Sequence, residues 1–120
     1  ILCLPGGPET ERLVNAEVLE ALGAKGILVN ISRGSVVDEP ALIAALSDGR
    51  LGAAGLDVFA TEPQVTPELC RLPNVVLSPH MASATVETRG AMADLVADNL
   101  KRFFATGHAL TPVPECRESV

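Results

Sequence analysis

Asn74-Val75-Val76-Leu77-Ser78-Pro79-His80-Met81-Ala82-Ser83 is a short apolar run that stops abruptly at a proline and a histidine. Rich in β-branched residues, and bounded by Pro73 before it and Ser78-Pro79 after it, the run reads as a buried strand whose carboxyl end delivers His80 into a loop. An imidazole held there can donate or accept a proton near neutral pH. Taken alone, a strand-end histidine is more often a satisfied structural group than a catalytic one. The rest of the chain decides between the two.

Working back from that run, Ala53-Ala54-Gly55-Leu56-Asp57-Val58 is a second strand, with small residues where a helix or a neighbouring backbone presses close. Between the two lies a loop from Ala60 to Pro73 carrying Pro63, Pro67 and Pro73. Earlier still, Ile27 to Ile31 is a continuous apolar strand that breaks at Ser32-Arg33-Gly34, and Ile1-Leu2-Cys3-Leu4 looks like a strand already under way. Helices fill the gaps. Val14, Val18, Leu19 and Leu22 recur at helical spacing, with Asn15 or Thr10 near the start and Gly23 as a stop. Asp38 can cap a helix with Pro40 in its first turn, Leu42, Ile43 and Leu46 on its inner face, and Gly49 at its end. After His80 the longest helix runs from about Thr85 to Phe104, with Met92, Leu95, Val96, Leu100, Phe103 and Phe104 on one face and Gly107 closing it. The segment from Ala109 to Val120, with Pro112 and Pro114, is expected to be extended.

Strands alternating with helices predict an α/β fold with right-handed crossovers and a parallel sheet, the arrangement of half a doubly wound nucleotide-binding domain. The length of 120 residues allows one domain with a real core. Aromatics are only 2% of the chain, so that core must be aliphatic. The net charge of -6, without a basic cluster, argues against a nucleic-acid surface. No apolar run approaches a membrane span in length, and no basic segment precedes an apolar one at the start. Cys3, Cys70 and Cys116 are odd in number and lack metal or disulfide spacing, so they read as reduced thiols of a cytoplasmic protein. The first residue is Ile1, inside an apolar run, so the chain is expected to be a piece of a longer protein.

In sheets of this kind ligands bind outside the carboxyl ends of the strands. That rule collects Pro5-Gly6-Gly7, Ser32-Arg33-Gly34, Asp57 with Glu62, and His80 along one edge. Arg33 could make paired hydrogen bonds to a carboxylate; an isolated arginine in a turn is more often a surface residue, and only its shared edge with His80 shifts the balance. Glu62 could orient His80 and stabilise its protonated form, or it could be a solvated loop carboxylate. Asp57 is polar within an apolar strand, which is costly unless it is paired or faces a ligand at the strand's end. Asp38 and Glu39 are explained as helix-start residues, and neither they nor His108, Ser35 and Met92 receive a role. An Arg-Glu-His set, without a serine or cysteine at a nucleophile elbow and without metal spacing, points to polarising and protonating a carbonyl.

Four stretches together resemble the D-isomer-specific 2-hydroxyacid dehydrogenase family. They are Pro5 to Thr10 (PGGPET), Ile31 to Glu39 (ISRGSVVDE), Gly55 to Pro63 (GLDVFATEP) and Ser78 to Thr85 (SPHMASAT). Within the family the hydroxypyruvate and glyoxylate reductase branch is the most similar. The resemblance implies hydride transfer, in either direction, between the nicotinamide of NAD or NADP and C2 of a small 2-oxo acid, giving the D-2-hydroxy acid. His80 would then be the proton donor, Glu62 its hydrogen-bonded partner, and Arg33 the group that holds the substrate carboxylate. Pro5, Ile31, Ser32, Arg33, Asp57, His80, Met81, Ala82 and Ser83 would meet the cofactor, Asp57 at its carboxamide. Residues 1–85 would be the C-terminal half of the dinucleotide-binding domain, and residues 86–120 a helix and tail returning toward the substrate domain. A homodimer is implied, with no nucleic acid, membrane or metal as partner. The family's G-x-G-x-x-G loop would precede Ile1, and Ala82 stands where the family usually has glycine. Two alternatives keep the same residues: a dinucleotide-sensing interaction protein of the co-repressor kind, and a piece that is inactive by itself.

Overall fold

Three strands, β1 (Ile27–Asn30), β2 (Ala53–Leu56) and β3 (Val75–Leu77), pair in parallel in the order β1-β2-β3. This computed structural model describes residues 1–116. The register sets Leu28 beside Ala54 and Ala54 beside Val75, on the face turned to the core; Val29, Gly55 and Val76 align on the other face. Parallel neighbours need crossover connections, and the short helices α1 (Ala16–Leu22), α2 (Glu39–Ser47) and α3 (Pro67–Arg71) lie between or before the strands in sequence.

Caps explain where the helices begin. Asn15 accepts from the Val18 amide at the start of α1, and Asp38 from the Ala41 amide at the start of α2, each satisfying an N–H that the first turn leaves open. Thr10, the other candidate for the first cap, instead donates its hydroxyl to the carbonyls of Pro5 and Gly7. Val14 lies ahead of α1 and bridges to Val37. α1 and α2 pack on each other, and Leu19, Leu42, Leu51 and Leu69 are fully buried in a cluster of aliphatic residues and Phe59. Each such side chain contributes roughly 1.5–3 kcal/mol by leaving water.

Three further expectations need correction. The opening strand reduces to one parallel bridge from Leu2 to Asn30, because Pro5 offers no N–H and the Pro5–Gly7 turn leads the chain away. The Ala60–Pro73 loop contains α3, a helix too short to show periodicity, started by Thr66-Pro67 and anchored by Leu69. The segment after Ala109 is not extended throughout, since Pro114–Cys116 form a 3-10 turn; the expectation for residues 117–120 lies outside the described residues.

The chain divides into two compact units, Ile1–Ala82 and the residues from Ser83 on. In the second, α4 (Val86–Thr106) is capped by Thr85, which accepts from the Thr88 amide, and ends at Gly107 with a φ of 79°. That left-handed conformation suits glycine. Asn99 of α4 accepts from the Thr111 amide and donates to the Leu95 carbonyl, tying the following segment to the helix. No residue of α4 is buried, and the expected apolar face from Met92 to Phe104 is exposed.

Candidate active site

The carboxyl ends of β1, β2 and β3 each release a short loop, and the side chains on those loops are fixed largely by charge-assisted bonds to backbone amides. After β1, the side chain of Asn30 is 1% exposed. Its Oδ1 accepts from the Ser32 amide (3.0 Å) and the Ser32 hydroxyl (2.8 Å), and its Nδ2 donates to the Arg33 carbonyl (3.0 Å). A buried amide that satisfies three local groups holds a turn that would otherwise carry unpaired polar atoms. Arg33 is exposed, with Nη1 donating to the Ser32 carbonyl at 2.6 Å. Its stem passes so near Gly6 that a Cβ there would lie 2.9 Å from Arg33 Cγ. The Pro5–Gly7 turn and Arg33 therefore do share an edge.

After β2, Asp57 is 7% exposed. One of its oxygens accepts from the Met81 amide (3.0 Å) and the other from the Ala82 amide (3.1 Å). The Met81 N–H is the largest cause holding this carboxyl below the usual Asp range; burial opposes it, and the Ser78 hydroxyl, the Ala82 N–H and the charge of His80 add to it. Three residues beyond Phe59, Glu62 Oε1 accepts from the Phe59 amide at 3.0 Å. The Glu62–Pro63 peptide is cis.

After β3, the chain turns at Ser78-Pro79 and His80 adopts a φ of 49°, rare for a residue with a side chain. His80 Nδ1 and Glu62 Oε2 are 2.6 Å apart, with the two side chains 46% and 34% exposed. This bond to His80 is the largest cause holding the Glu62 carboxyl below the usual Glu range, followed by the Phe59 amide; burial opposes it, and the charges of His80 and Arg33 help. An ionised carboxylate can only accept, so Nδ1 carries the proton and Nε2 is the ring nitrogen left for exchange with a ligand. The arrangement can hold an imidazole in one tautomer and one orientation while a guanidinium stands near enough to sense the same carboxylate.

Beside this edge a cavity of about 400 Å³ is lined mainly by apolar atoms of Val29, Ile31, Gly55, Val76 and Met81, together with Asp57, Ser78 and Ala82. Its size and its few polar groups suit a flat heterocycle. Of the expected cofactor residues, Ile31, Asp57, Met81 and Ala82 line it. Pro5 lines a separate depression with Gly6, Gly7 and Pro8, Ser32 is buried, and Ser83 belongs to the second unit. His80 and Glu62 themselves line a second cavity of about 180 Å³, with Phe59, Pro63, Val65 and Pro79.

Two contributors escaped the sequence reading. Asn30 sits in an otherwise apolar run, where a polar residue costs free energy unless it is paired. Glu39 was accounted for as a helix-start residue; its carboxylate also accepts from the Ala60 amide (3.0 Å) and from the Thr66 hydroxyl. Among the described residues no group of three His, Cys, Asp or Glu side chains could hold a metal ion, and no helix is long and apolar enough to cross a membrane.

Comparison with known proteins gives a consistent picture. Residues 1–82 match the family model described as D-isomer specific 2-hydroxyacid dehydrogenase, NAD binding domain. The chain is 56% identical over 113 residues to a hydroxyphenylpyruvate reductase of Plectranthus scutellarioides, and 53% identical over 113 residues to a 2-ketogluconate reductase of Gluconobacter oxydans; each match covers 94% of this chain and 36% of the relative. Among solved structures, an NADPH-dependent glyoxylate/hydroxypyruvate reductase from Sinorhizobium meliloti, in complex with NADP and malonate, is 56% identical with a TM-score of 0.89, covering 98% of this chain and 38% of that one. The chain thus spans little more than a third of the length of the relatives it matches.

Proposed function

The chain belongs to the D-isomer specific 2-hydroxyacid dehydrogenases, and from that premise we propose that the whole protein reduces a small 2-oxo acid, such as hydroxypyruvate or glyoxylate, with NADH or NADPH. The bound nicotinamide would supply the hydride that arrives at C2. Everything else falls to side chains. In its imidazolium form His80 gives the Nε2 proton to the carbonyl oxygen as C2 is reduced, leaving a neutral ring and a D-2-hydroxy acid; the reverse reaction returns the proton to the same nitrogen. Glu62, ionised, keeps the Nδ1 proton in place and balances the ring's positive charge before transfer. Arg33 binds the substrate carboxylate and draws charge toward the carbonyl oxygen. Ile31, Met81 and Ala82 offer the apolar wall for the nicotinamide, while Asp57 holds the two amides that follow His80.

The observation that carries this reading is the 2.6 Å contact between His80 Nδ1 and Glu62 Oε2, at the carboxyl end of a parallel sheet and within electrostatic reach of Arg33. On the same reading residues 1–85 serve as the C-terminal half of the dinucleotide-binding domain and residues 86–120 as the returning helix and tail. The same reading makes the intact protein a cytoplasmic homodimer, and free Cys3, Cys70 and Cys116 suit a reducing compartment. The test is oxidation of NADH and NADPH by the full-length polypeptide, followed by absorbance, with glyoxylate, hydroxypyruvate, hydroxyphenylpyruvate and 2-ketogluconate. Turnover with at least one is expected. No oxidation with any small 2-oxo acid would end the proposal.

A further inference from the structure

We infer that Glu39 is a positioning residue for the His80–Glu62 pair, acting through the backbone of the loop that carries Glu62. The inference rests on the proposed reductase function for its catalytic meaning and on geometry for its substance. Phe59 and Ala60 present consecutive backbone N–H groups, and each goes to a different carboxylate: Phe59 to Glu62 Oε1, Ala60 to Glu39 Oε2, both at 3.0 Å. The two N–H groups lie in successive peptide planes joined at the Phe59 Cα, so the bond from Ala60 to Glu39 fixes one plane and narrows the φ and ψ at Phe59 that aim the other. The aim of the Phe59 N–H places Glu62, and the other oxygen of Glu62 orients the ring of His80.

Two further observations make Glu39 more than a helix-start residue. Thr66 occupies the N-cap position of α3, yet its hydroxyl makes no capping bond to its own helix and donates instead to Glu39 Oε1. A threonine at an N-cap ordinarily satisfies its own helix, so this hydroxyl has been diverted to hold the far end of the same loop. On the opposite side, the Phe59–Ala60 peptide lies directly on Gly34: a Cβ there would stand 1.9 Å from the Phe59 carbonyl oxygen and 2.6 Å from the Ala60 nitrogen. The loop is therefore clamped between Gly34 and the Glu39 carboxylate, with Glu62 between the two points where Glu39 grips it.

The experiment compares full-length wild type with Glu39→Ala, Glu39→Gln and Thr66→Val, reading kcat and KM with the preferred 2-oxo acid, the melting temperature, and the Nδ1 resonance of His80 in protein labelled with ¹⁵N-histidine. Misplacing a catalytic group by a fraction of an ångström to an ångström costs on the order of 10- to 100-fold. Glu39→Ala should therefore lower kcat by about 10- to 100-fold with little change in KM, and should shift the His80 Nδ1 resonance. Glu39→Gln should restore both, since its amide oxygen can accept from Ala60 and its NH₂ can donate to the Thr66 hydroxyl. If Glu39→Ala does not fold, Thr66→Val decides, with a smaller shift of resonance and kcat in the same direction. A lowered melting temperature with kcat and the His80 resonance unchanged would overturn the inference. Wild type without turnover would overturn the proposed function instead, while the resonance would still report whether Glu39 sets the His80–Glu62 contact.

Discussion

Asp57→Asn tests the idea that the His80 loop is pinned from below by one carboxylate. In the native protein both oxygens accept backbone N–H groups, from Met81 and Ala82. The asparagine keeps one acceptor and turns an NH₂ toward the other amide, so one charge-assisted bond is lost. Such a bond contributes about 1.5–3 kcal/mol. Met81 and Ala82 are exposed, so the freed N–H regains a partner in water and no further desolvation cost is added. At tenfold per 1.4 kcal/mol, hydrogen exchange of one or both amides should accelerate roughly 10- to 150-fold at neutral pH, while amides within α2 serve as an internal control. The pH dependence has a definite sign. Asp57 is held below its ordinary value chiefly by the Met81 N–H, so its folded pKa lies under the unfolded one, near 3.9. Its stabilisation is complete above the unfolded value and is lost as pH falls through the folded value. The difference between wild type and Asp57→Asn, measured by urea denaturation, should therefore be largest at neutral pH and shrink below about pH 4. An equal difference at neutral and acid pH, or unchanged exchange at Met81 and Ala82, would refute the reasoning.

Three other outcomes follow from the same geometry. His80→Asn should leave folding intact, because asparagine tolerates the φ of 49° that His80 adopts, yet reduce turnover by about 10²- to 10⁴-fold; turnover near wild type would remove His80 from the chemistry. Asn30→Ala strips three partners from a buried turn and should cost about 3 kcal/mol or more in urea denaturation, with a raised KM for the oxo acid as Arg33 loses its seat. Gly34→Ala must displace the Phe59–Ala60 peptide, and should lower stability by about 1–3 kcal/mol; thermal melting of the variant beside wild type checks this.

How much of the molecule was legible in the sequence depended on the range of the interaction involved. Asp38 and Thr85 were readable as helix starts, and Asn15 as one of two candidates beside Thr10, because a cap bonds to the amide three residues on. The strands were readable as apolar runs between turn signals, and the parallel order then predicted that Arg33, Glu62 and His80 would share an edge. The edge left Glu62 open between orienting His80 and lying solvated, and the family resemblance implied the contact, which spans 18 residues. Asp57 was recognised as costly and left open between pairing and a ligand; its backbone partners lie 24 and 25 residues away, and nothing local announces them. The Glu39 bonds span 21 and 27 residues, and the demands of a helix start already explained an acid there. Asn30 alone was within reach, since its three bonds are local and the rule applied to Asp57 applied equally to it.

The long-range carboxylates have one property in common that bears on how the site behaves. Asp57, Glu62 and Glu39 each direct at least one oxygen to a backbone N–H outside the sheet's ladders, and together they fix loop 57–66 and residues 80–82. Beneath them, the core cluster consists of aliphatic side chains and Phe59, none of which titrates. Acid therefore acts on the two layers differently. Protonating Asp57 or Glu62, both held below their ordinary range by the bonds they accept, weakens the frame around His80 while the apolar burial that holds sheet and helices is unchanged. The His80 loop should open at a pH where the core still stands, because the site is built from charge on a scaffold built from apolar surface.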